Sequence, residues 1–445
     1  QYGVDRGLLL SADREQAAHD VGDFIFSSST LEQLTGPFGQ HLSPLSIPLS
    51  CGSFEAGEKR GLRFGRHRLN VFAQERTELR DIGSISHVAI VALERPPTTS
   101  RAGRRAADAR SDRAYGASMT SPQTPISSGF GMRSEPSDIL EGVDLTGKNV
   151  VVTGGYSGLG LETTRALAGA GAAITAPARR PDHARQVLAD EGLGSVTVAE
   201  MDLADLASVE TFANTLLEAG VPIDIMIDNA AVMACPEAQV GDGWESQFGT
   251  NHIGHFALVN RLWPLIAAAG ANGGARVVSL SSTGHKLSPI RWDDIHFANG
   301  DYDKWVAYGQ AKTANALFAV QLDRLGESAG VRTFAVHPGG IMTPLQRHLP
   351  QEEMIAMGWV DADGKVNELF KSPSQGATTT LWTATSSQLD GMGGVYCEDC
   401  DVSKVPDPSD PMARYFGVAE HAIDHKQAER LWALSAEMTG VNAFA

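Results

Sequence analysis

From residue 150 onward the chain alternates between two hydrophobic patterns. Short, largely apolar runs rich in Val, Ile and Ala fall at 150–152, 172–176, 196–199, 223–228, 275–280, 331–336 and 393–396. Between them lie longer stretches of helix formers or of apolar residues three and four positions apart, among them 161–170, 244–266 and the segment from Tyr308 through Leu317, Phe318 and Leu322. Continuous apolar runs suit strands buried on both faces, and their alternation with helices predicts βαβ units. Right-handed crossovers then predict an α/β fold, a doubly wound parallel sheet of seven strands with its site at their carboxyl ends. A terminal amphipathic helix is expected over 419–438, within a C-terminal tail at 403–445.

The first 118 residues break this pattern. Segments 8–26 and 87–93 have the length and composition of single elements, whereas 95–118, with Pro-Pro, Arg-Arg and many Ala and Ser, has neither period and reads as linker or disorder. Residues 1–118 hold 15 basic against 14 acidic residues, a balance of +1; the remainder holds 21 against 39, a balance of −18. The expected organisation is an irregular N-terminal extension over 1–118, a lead segment over 119–143 and a catalytic domain over 144–402. Met119, or in second place Met132, is the expected biological start, and a genuine accessory domain is the alternative.

A net charge of −17 argues against nucleic acid or an anionic membrane as partner, since phosphates need a basic surface. Four cysteines, Cys51, Cys235, Cys397 and Cys400, make a disulfide framework a poor expectation. With no apolar run long enough to span a bilayer, the protein is expected to be soluble and cytoplasmic. Homo-oligomerisation is left open.

The candidate chemistry begins where the first run feeds Thr153-Gly154-Gly155-Tyr156-Ser157-Gly158-Leu159-Gly160. Glycines between a strand and a helix permit positive φ and let backbone N–H groups approach a diphosphate at the positive helix end. Such a turn alone also suits a methyltransferase or a purely structural bend. After the second run come Arg179 and Arg180, where an acidic residue would select NAD; arginines there favour a 2′-phosphate, with Arg179 the preferred contact, unless both are solvated surface charges. Tyr308-Gly309-Gln310-Ala311-Lys312 puts a phenol and an ammonium on one helical face. A phenol titrates near pH 10, so it needs neighbouring positive charge before it can exchange a proton at neutral pH.

These landmarks, with Asn229-Ala230-Ala231, Asn251 and Ser281-Ser282 between them in order, resemble the short-chain dehydrogenase/reductase family over about residues 144–400. The segments Asn251-His252-Ile253-Gly254-His255-Phe256 and Ser281-Ser282-Thr283-Gly284-His285, and the long separation of Ser282 from Tyr308, resemble its retinol-dehydrogenase and WW-domain-oxidoreductase branch. The resemblance implies a Rossmann-like fold and NAD(P)-dependent oxidation or reduction of an alcohol/carbonyl pair, with NADP(H) favoured over NAD(H) and a lipophilic small-molecule substrate. It implies Tyr308 as acid/base, Ser282 (or Ser281) orienting the carbonyl oxygen, Lys312 holding the ribose and lowering the Tyr308 pKa, and Asn251 bending its helix and anchoring a proton relay. For the cofactor it implies Thr153, Gly154, Tyr156, Ser157, Gly158, Leu159 and Gly160 at the diphosphate, Asp202 and Leu203 at adenine, Asn229 and Ala230 along the sheet, and Pro338, Gly339 and Thr343 at the carboxamide. Two positions depart from the family pattern Asn-Asn-Ala-Gly: Asp228 stands for the first Asn and Ala231 for the Gly.

Other readings stay beside these. Asp202 also suits the cap of a helix starting near 204; His252 and His255 also suit a zinc pair, although no third ligand stands at the right spacing, so no metal is expected. Residues 344–371 read as a substrate lid, or equally as a surface helix on the core. Cys397-Glu398-Asp399-Cys400 has redox or metal spacing but reads as free thiols. A sugar-nucleotide epimerase or dehydratase, and a non-catalytic NADP-sensing protein, are the rival functions.

Overall fold

The computed structural model describes residues 122–445 in full, together with the backbone of three strands at Arg60–Phe64, His67–Phe72 and Ile90–Leu93. The chain divides into two compact units, 1–112 and 113–445. In the first, the three strands pair antiparallel in sequence order. Of the two elements expected there, the later overlaps Ile90–Leu93; 8–26, the linker at 95–118 and Met119 lie outside the described residues.

The second unit is built on strands β1 (Asn149–Val152), β2 (Ala173–Ala178), β3 (Thr197–Glu200), β4 (Ile225–Asp228), β5 (Ala275–Leu280), β6 (Val331–His337) and β7 (Val395–Glu398), each within two residues of its expected position. They form one sheet in the order β7-β6-β5-β4-β1-β2-β3, all parallel. A two-residue strand β8 (Asp401–Val402) adds antiparallel to β7 through a turn with positive φ at Asp399 and Cys400. The expected α/β, doubly wound, seven-stranded parallel sheet is therefore present, with this short eighth strand as an addition.

Alternate residues of each central strand feed opposite cores, so the runs are apolar throughout. Val150, Val152, Ile225, Ile227, Val278 and Leu280 face helices α1 (Gly158–Gly169) and α6 (Pro373–Thr385). Val151, Met226 and Val277 face α3 (Leu206–Ala219), α4 (Gly254–Ala271) and α5 (Lys304–Gly326), while α2 (Pro181–Asp190) covers the edge of β2 and β3. Helix α5 is buried on nearly every face from Ala307 to Asp323, which fixes Tyr308 and Lys312 on a rigid support. The expected terminal helix is α7 (His425–Thr439), whose Trp432 stacks on Phe318 of α5.

The expected helix over 244–266 forms differently. Glu245 closes a two-strand ribbon (Gln239–Val240 with Trp244–Glu245), and its carboxylate accepts from Gln247 and Phe248 N–H groups, so the helix begins only after it. The first turns include a π-helix at Gly249–Ile253, and α4 follows. The lead segment is tied in as well: Gln123 bonds both Tyr396 backbone groups on β7, and Arg133 donates to the Phe370 carbonyl at 2.8 Å and to that of Glu368.

Asp228, at the end of β4, is fully enclosed, and neither carboxylate oxygen has a hydrogen-bond partner. Burial holds this carboxyl well above its ordinary range. A folded-state pKa above the unfolded one means that stability is greatest in acid and is lost as pH rises past the unfolded value, near 4. Replacing Asp228→Asn should therefore raise the urea midpoint at neutral pH, with the gain shrinking toward about pH 4; an equal or lower midpoint at neutral pH would contradict the assignment.

Candidate active site

The carboxyl ends of β1, β4, β5 and β6 open into one cleft of about 1300 Å³. Along one wall the glycine turn leads into α1, with positive φ at Gly154 and Gly158. A Cβ at Gly160 would strike the Gly154 carbonyl oxygen and stand 2.5 Å from Asn229 Nδ2. Only a glycine lets α1 approach so closely, and the approach brings the helix's positive end to the cleft, which Tyr156, Ser157, Gly158 and Leu159 line.

Beneath the turn, Thr153 joins three segments. Its hydroxyl oxygen accepts from the Asn229 and Ala230 N–H groups, both at 2.9 Å, and stands 2.8 Å from His255 Nε2. His255 Nδ1 lies 2.9 Å from the Asn251 carbonyl, which only accepts, so Nδ1 carries the proton and Nε2 accepts from Thr153. Burial lowers the His255 pKa to about 4, keeping the ring neutral for this arrangement. Asn229 completes the knot by donating Nδ2 to the Thr153 carbonyl at 2.8 Å. His252, buried likewise, meets Ser435 of α7 at 2.8 Å. Both histidines are thus engaged inside the fold, and no group of three or more metal-ligating side chains occurs among the described residues.

Asn251 sits in the π-helical turn, where the resemblance implied a bend. Its amide spans Val232, accepting from the N–H and donating to the carbonyl, each at 2.9 Å. It therefore fastens the loop after β4 to the helix.

Ser282, Tyr308 and Lys312 meet in the middle of the cleft. Ser281 is the structural serine: buried, its hydroxyl donates to the Lys312 carbonyl at 2.7 Å. Ser282 follows it, caps a 3₁₀ turn (Thr283–Leu287) by accepting from Gly284 N–H at 3.0 Å, and hydrogen-bonds the Tyr308 phenol. A side chain at Gly284 would come within 2.7 Å of the Tyr308 ring, so glycine lets this turn lie against it. Burial pushes Tyr308 up to about 12, with the Ser282 hydrogen bond opposing the shift. Burial pushes Lys312 down to about 7; its ammonium lies 5.7 Å from the phenol ring centroid and donates to the Leu280 carbonyl at 2.8 Å. The expected lowering of the phenol by Lys312 is absent from this arrangement, because desolvation at a 5 % exposed ring outweighs a charge pointed at Leu280.

Toward one end the cleft is lined by Arg179, Arg180, His183, Asp202 and Leu203. Asp202 does not cap the next helix: its carboxylate accepts from Ala204 N–H, and Asp205 is the N-cap of α3. Pro338, Gly339 and Thr343 also line the cleft, Thr343 lying beside Gly158 of the glycine turn with its hydroxyl accepting from Leu345 N–H at the cap of a 3₁₀ turn (Pro344–His348).

The segment after Thr343 packs beside Tyr308. Leu349, Leu345, Met354, Met357 and Trp359 pack with Met233, Ala234, Trp305 and Tyr308 in one apolar cluster. Glu353 pins the segment to the start of α5, accepting from Lys304 at 2.6 Å and Trp305 Nε1 at 2.7 Å. Its far end is held by Lys371, which bonds the Gly340 carbonyl through its backbone and pairs with Asp399 at 2.6 Å. Sequence reasoning missed Met233, Glu353, Lys371 and Arg133, which carry no motif. It also left His285 unread: that ring bonds the Ser282 carbonyl at 2.6 Å and accepts from Ala419 N–H at 2.9 Å, tying the serine's turn to the tail. Its place in Ser-Ser-x-x-His was the available signal. Cys235, Cys397 and Cys400 are buried free thiols.

A doubly wound sheet whose strand ends gather a glycine turn, a serine, a tyrosine and a lysine in one cleft defines a nucleotide-dependent α/β oxidoreductase. Residues 148–354 match the short chain dehydrogenase family model. A probable oxidoreductase of Streptomyces antibioticus is 44% identical over 297 residues, 65% of this chain and 97% of that one. Retinol dehydrogenase 12 of Mus musculus is 35% identical over 303 residues, covering 67% and 88%. An uncharacterised protein of Mycobacterium paratuberculosis, 32% identical, superposes with a TM-score of 0.53 over 70% of this chain and 99% of its own. The chain belongs to the short-chain dehydrogenase/reductase family, on its retinol-dehydrogenase-like side, and is an enzyme of the NAD(P)-binding, small-molecule-oxidising class. No described helix is long and apolar enough to cross a membrane.

Because Lys312 titrates near 7 in the fold against an ordinary 10.5, its ammonium destabilises the fold below about pH 7, and the loss diminishes as pH rises to 10.5. Lys312→Met should raise the denaturant midpoint at about pH 6 and gain little at about pH 10. An equal gain at both would mean that the ammonium is not desolvated.

Proposed function

We propose that the chain transfers hydride reversibly between NADP(H) and an alcohol/carbonyl pair whose carbonyl compound is lipophilic. The observation that carries this reading is the meeting of Ser282, Tyr308 and Lys312 between an arginine-bearing end and an apolar end of one cleft. NADP(H), when bound, supplies the hydride.

The residues fit that group. Glycine at 160 lets α1 close against Gly154 and Asn229 without itself lining the cleft, and Gly154, Tyr156, Ser157, Gly158 and Leu159, which do line it, offer backbone and a helix end to the diphosphate. Thr153, with its hydroxyl engaged below, and Asn229 and Ala230 shape the floor. Arg179, which makes no ion pair among the described residues, is the contact for the 2′-phosphate. Asp202 and Leu203 border adenine, and Pro338, Gly339 and Thr343 border the carboxamide.

In reduction Ser282 donates a hydrogen bond to the substrate carbonyl oxygen and Tyr308 delivers its proton there; in oxidation Tyr308 takes it back. A phenol held at about 12 by burial needs positive charge beside it, which the cationic oxidised cofactor would supply when bound, while Lys312, its ammonium turned to the Leu280 carbonyl, would hold the ribose. Asn251 is a positioning residue that holds the Val232 loop in register. The Met, Leu and Trp side chains over Tyr308 exclude water and favour an apolar substrate.

With NADPH and a panel of aldehydes, ketones and quinones, Tyr308→Phe should lower kcat by roughly 10²- to 10⁴-fold. Unchanged NADPH consumption would refute the mechanism. Arg179→Ala should reduce the preference for NADPH over NADH in Kd by about tenfold, the value of one charge-assisted contact; an unaltered ratio would remove Arg179 from the phosphate site.

A further inference from the structure

Most basic side chains of the catalytic domain are paired: Arg276 with Asp390, Arg332 with Asp323, Lys304 with Glu353, Lys371 with Asp399. Among the described arginines of that domain, the three lining the cleft are the exceptions. Arg179 and Arg180 stand at one end, and Arg347 belongs to the segment after Thr343 at the other. Arg347 makes a single hydrogen bond, from Nη1 to the Pro344 carbonyl of its own turn at 3.1 Å, and meets no carboxylate among the described residues. Beyond residue 118 the chain holds 39 acidic against 21 basic residues, so a bare guanidinium at a cleft wall is out of keeping with its surroundings.

Its position gives the charge a use. Leu345 and Leu349, on either side of it in sequence, belong to the apolar cluster that includes Met233 and Tyr308. Burial pushes the Cys235 thiol up, and the Arg347 charge opposes that shift, which puts the guanidinium close to the wall after β4. Arg347 itself is exposed, so the apolar chamber that starts at Tyr308 has a cation at its solvent-facing margin. Apolar walls alone do not decide which end of a long molecule faces the phenol, whereas a fixed charge does.

We propose that Arg347 receives a carboxylate, and that the substrate class is an amphipathic oxo acid, its carbonyl at Ser282 and Tyr308 and its carboxylate on the Arg347 guanidinium. The assignment rests on the dehydrogenase reading. The carbonyl carbon gains hydride from NADPH and its oxygen gains a proton from Tyr308, giving the hydroxy acid and NADP⁺, while the carboxylate is unchanged.

The test compares nonanal with 9-oxononanoate as substrates of the full chain with NADPH. The wild-type enzyme should favour the oxo acid in kcat/KM, and Arg347→Gln should cut that ratio by about tenfold through KM rather than kcat, with Arg347→Lys between them. A wild-type ratio at or below one, or a ratio untouched by Arg347→Gln, would overturn the proposal while leaving the dehydrogenase reading standing. Binding is read independently by dodecanoate and dodecanol, using the fluorescence of Trp305 and Trp359 in the chamber. If neither aldehyde is reduced yet dodecanoate binds in an Arg347-dependent manner, the anion site stands and the oxo-acid substrate class falls. If dodecanoate binds no better than dodecanol, or equally well to Arg347→Gln, the anion site is absent.

Discussion

The site depends on one hydroxyl. Thr153 has a single proton to give and two lone pairs to fill: the lone pairs take the consecutive N–H groups of Asn229 and Ala230, and the proton goes to His255. The β1 turn, the β4 turn and the helix carrying Asn251 are held in mutual register by this group, deep beneath the cleft. Because buried donors without partners cost more than bonds to water return, the arrangement has little freedom to relax. The neutral His255 is part of the same constraint, since a charged ring would lose its acceptor nitrogen.

Above that floor the electrostatics run against catalysis. Burial raises Tyr308 and lowers Lys312, so the rigidity that places these groups also moves each away from its working ionisation. The protein keeps both because helix α5, enclosed on almost every face, holds them whatever their charge. Asp228 is a comparable conflict without an evident function: a carboxyl enclosed at the end of β4, where the family pattern has an amide.

Much of this was legible in the chain because strands buried on both faces leave an unmistakable trace. Seven runs such as Val150–Val152 and Ala275–Leu280 marked out the sheet, and the residues singled out by spacing, the glycine turn, Ser282, Tyr308 and Lys312, line one cleft. What failed to show were contacts between distant segments whose residues are ordinary in isolation. Glu353 gripping Lys304 and Trp305, Arg133 reaching the carbonyls of Glu368 and Phe370, and Met233 in the cluster at Tyr308 leave no periodic or motif signal. Glu245 was misread for the same reason: a helical composition continued through it, and only its capping geometry moves the boundary.

The Gln123 amide bears on how the sheet ends. Its two polar ends stand in for a neighbouring backbone: the amide oxygen accepts from the Tyr396 N–H, and the amide nitrogen donates to the Tyr396 carbonyl, which the Ser403 N–H just past β8 also reaches. An open parallel sheet is otherwise vulnerable along such a margin, since unsatisfied peptide groups invite a foreign strand to add itself. One side chain from the lead segment, 273 positions upstream, thus occupies polar groups of β7 that a foreign strand would have to pair with.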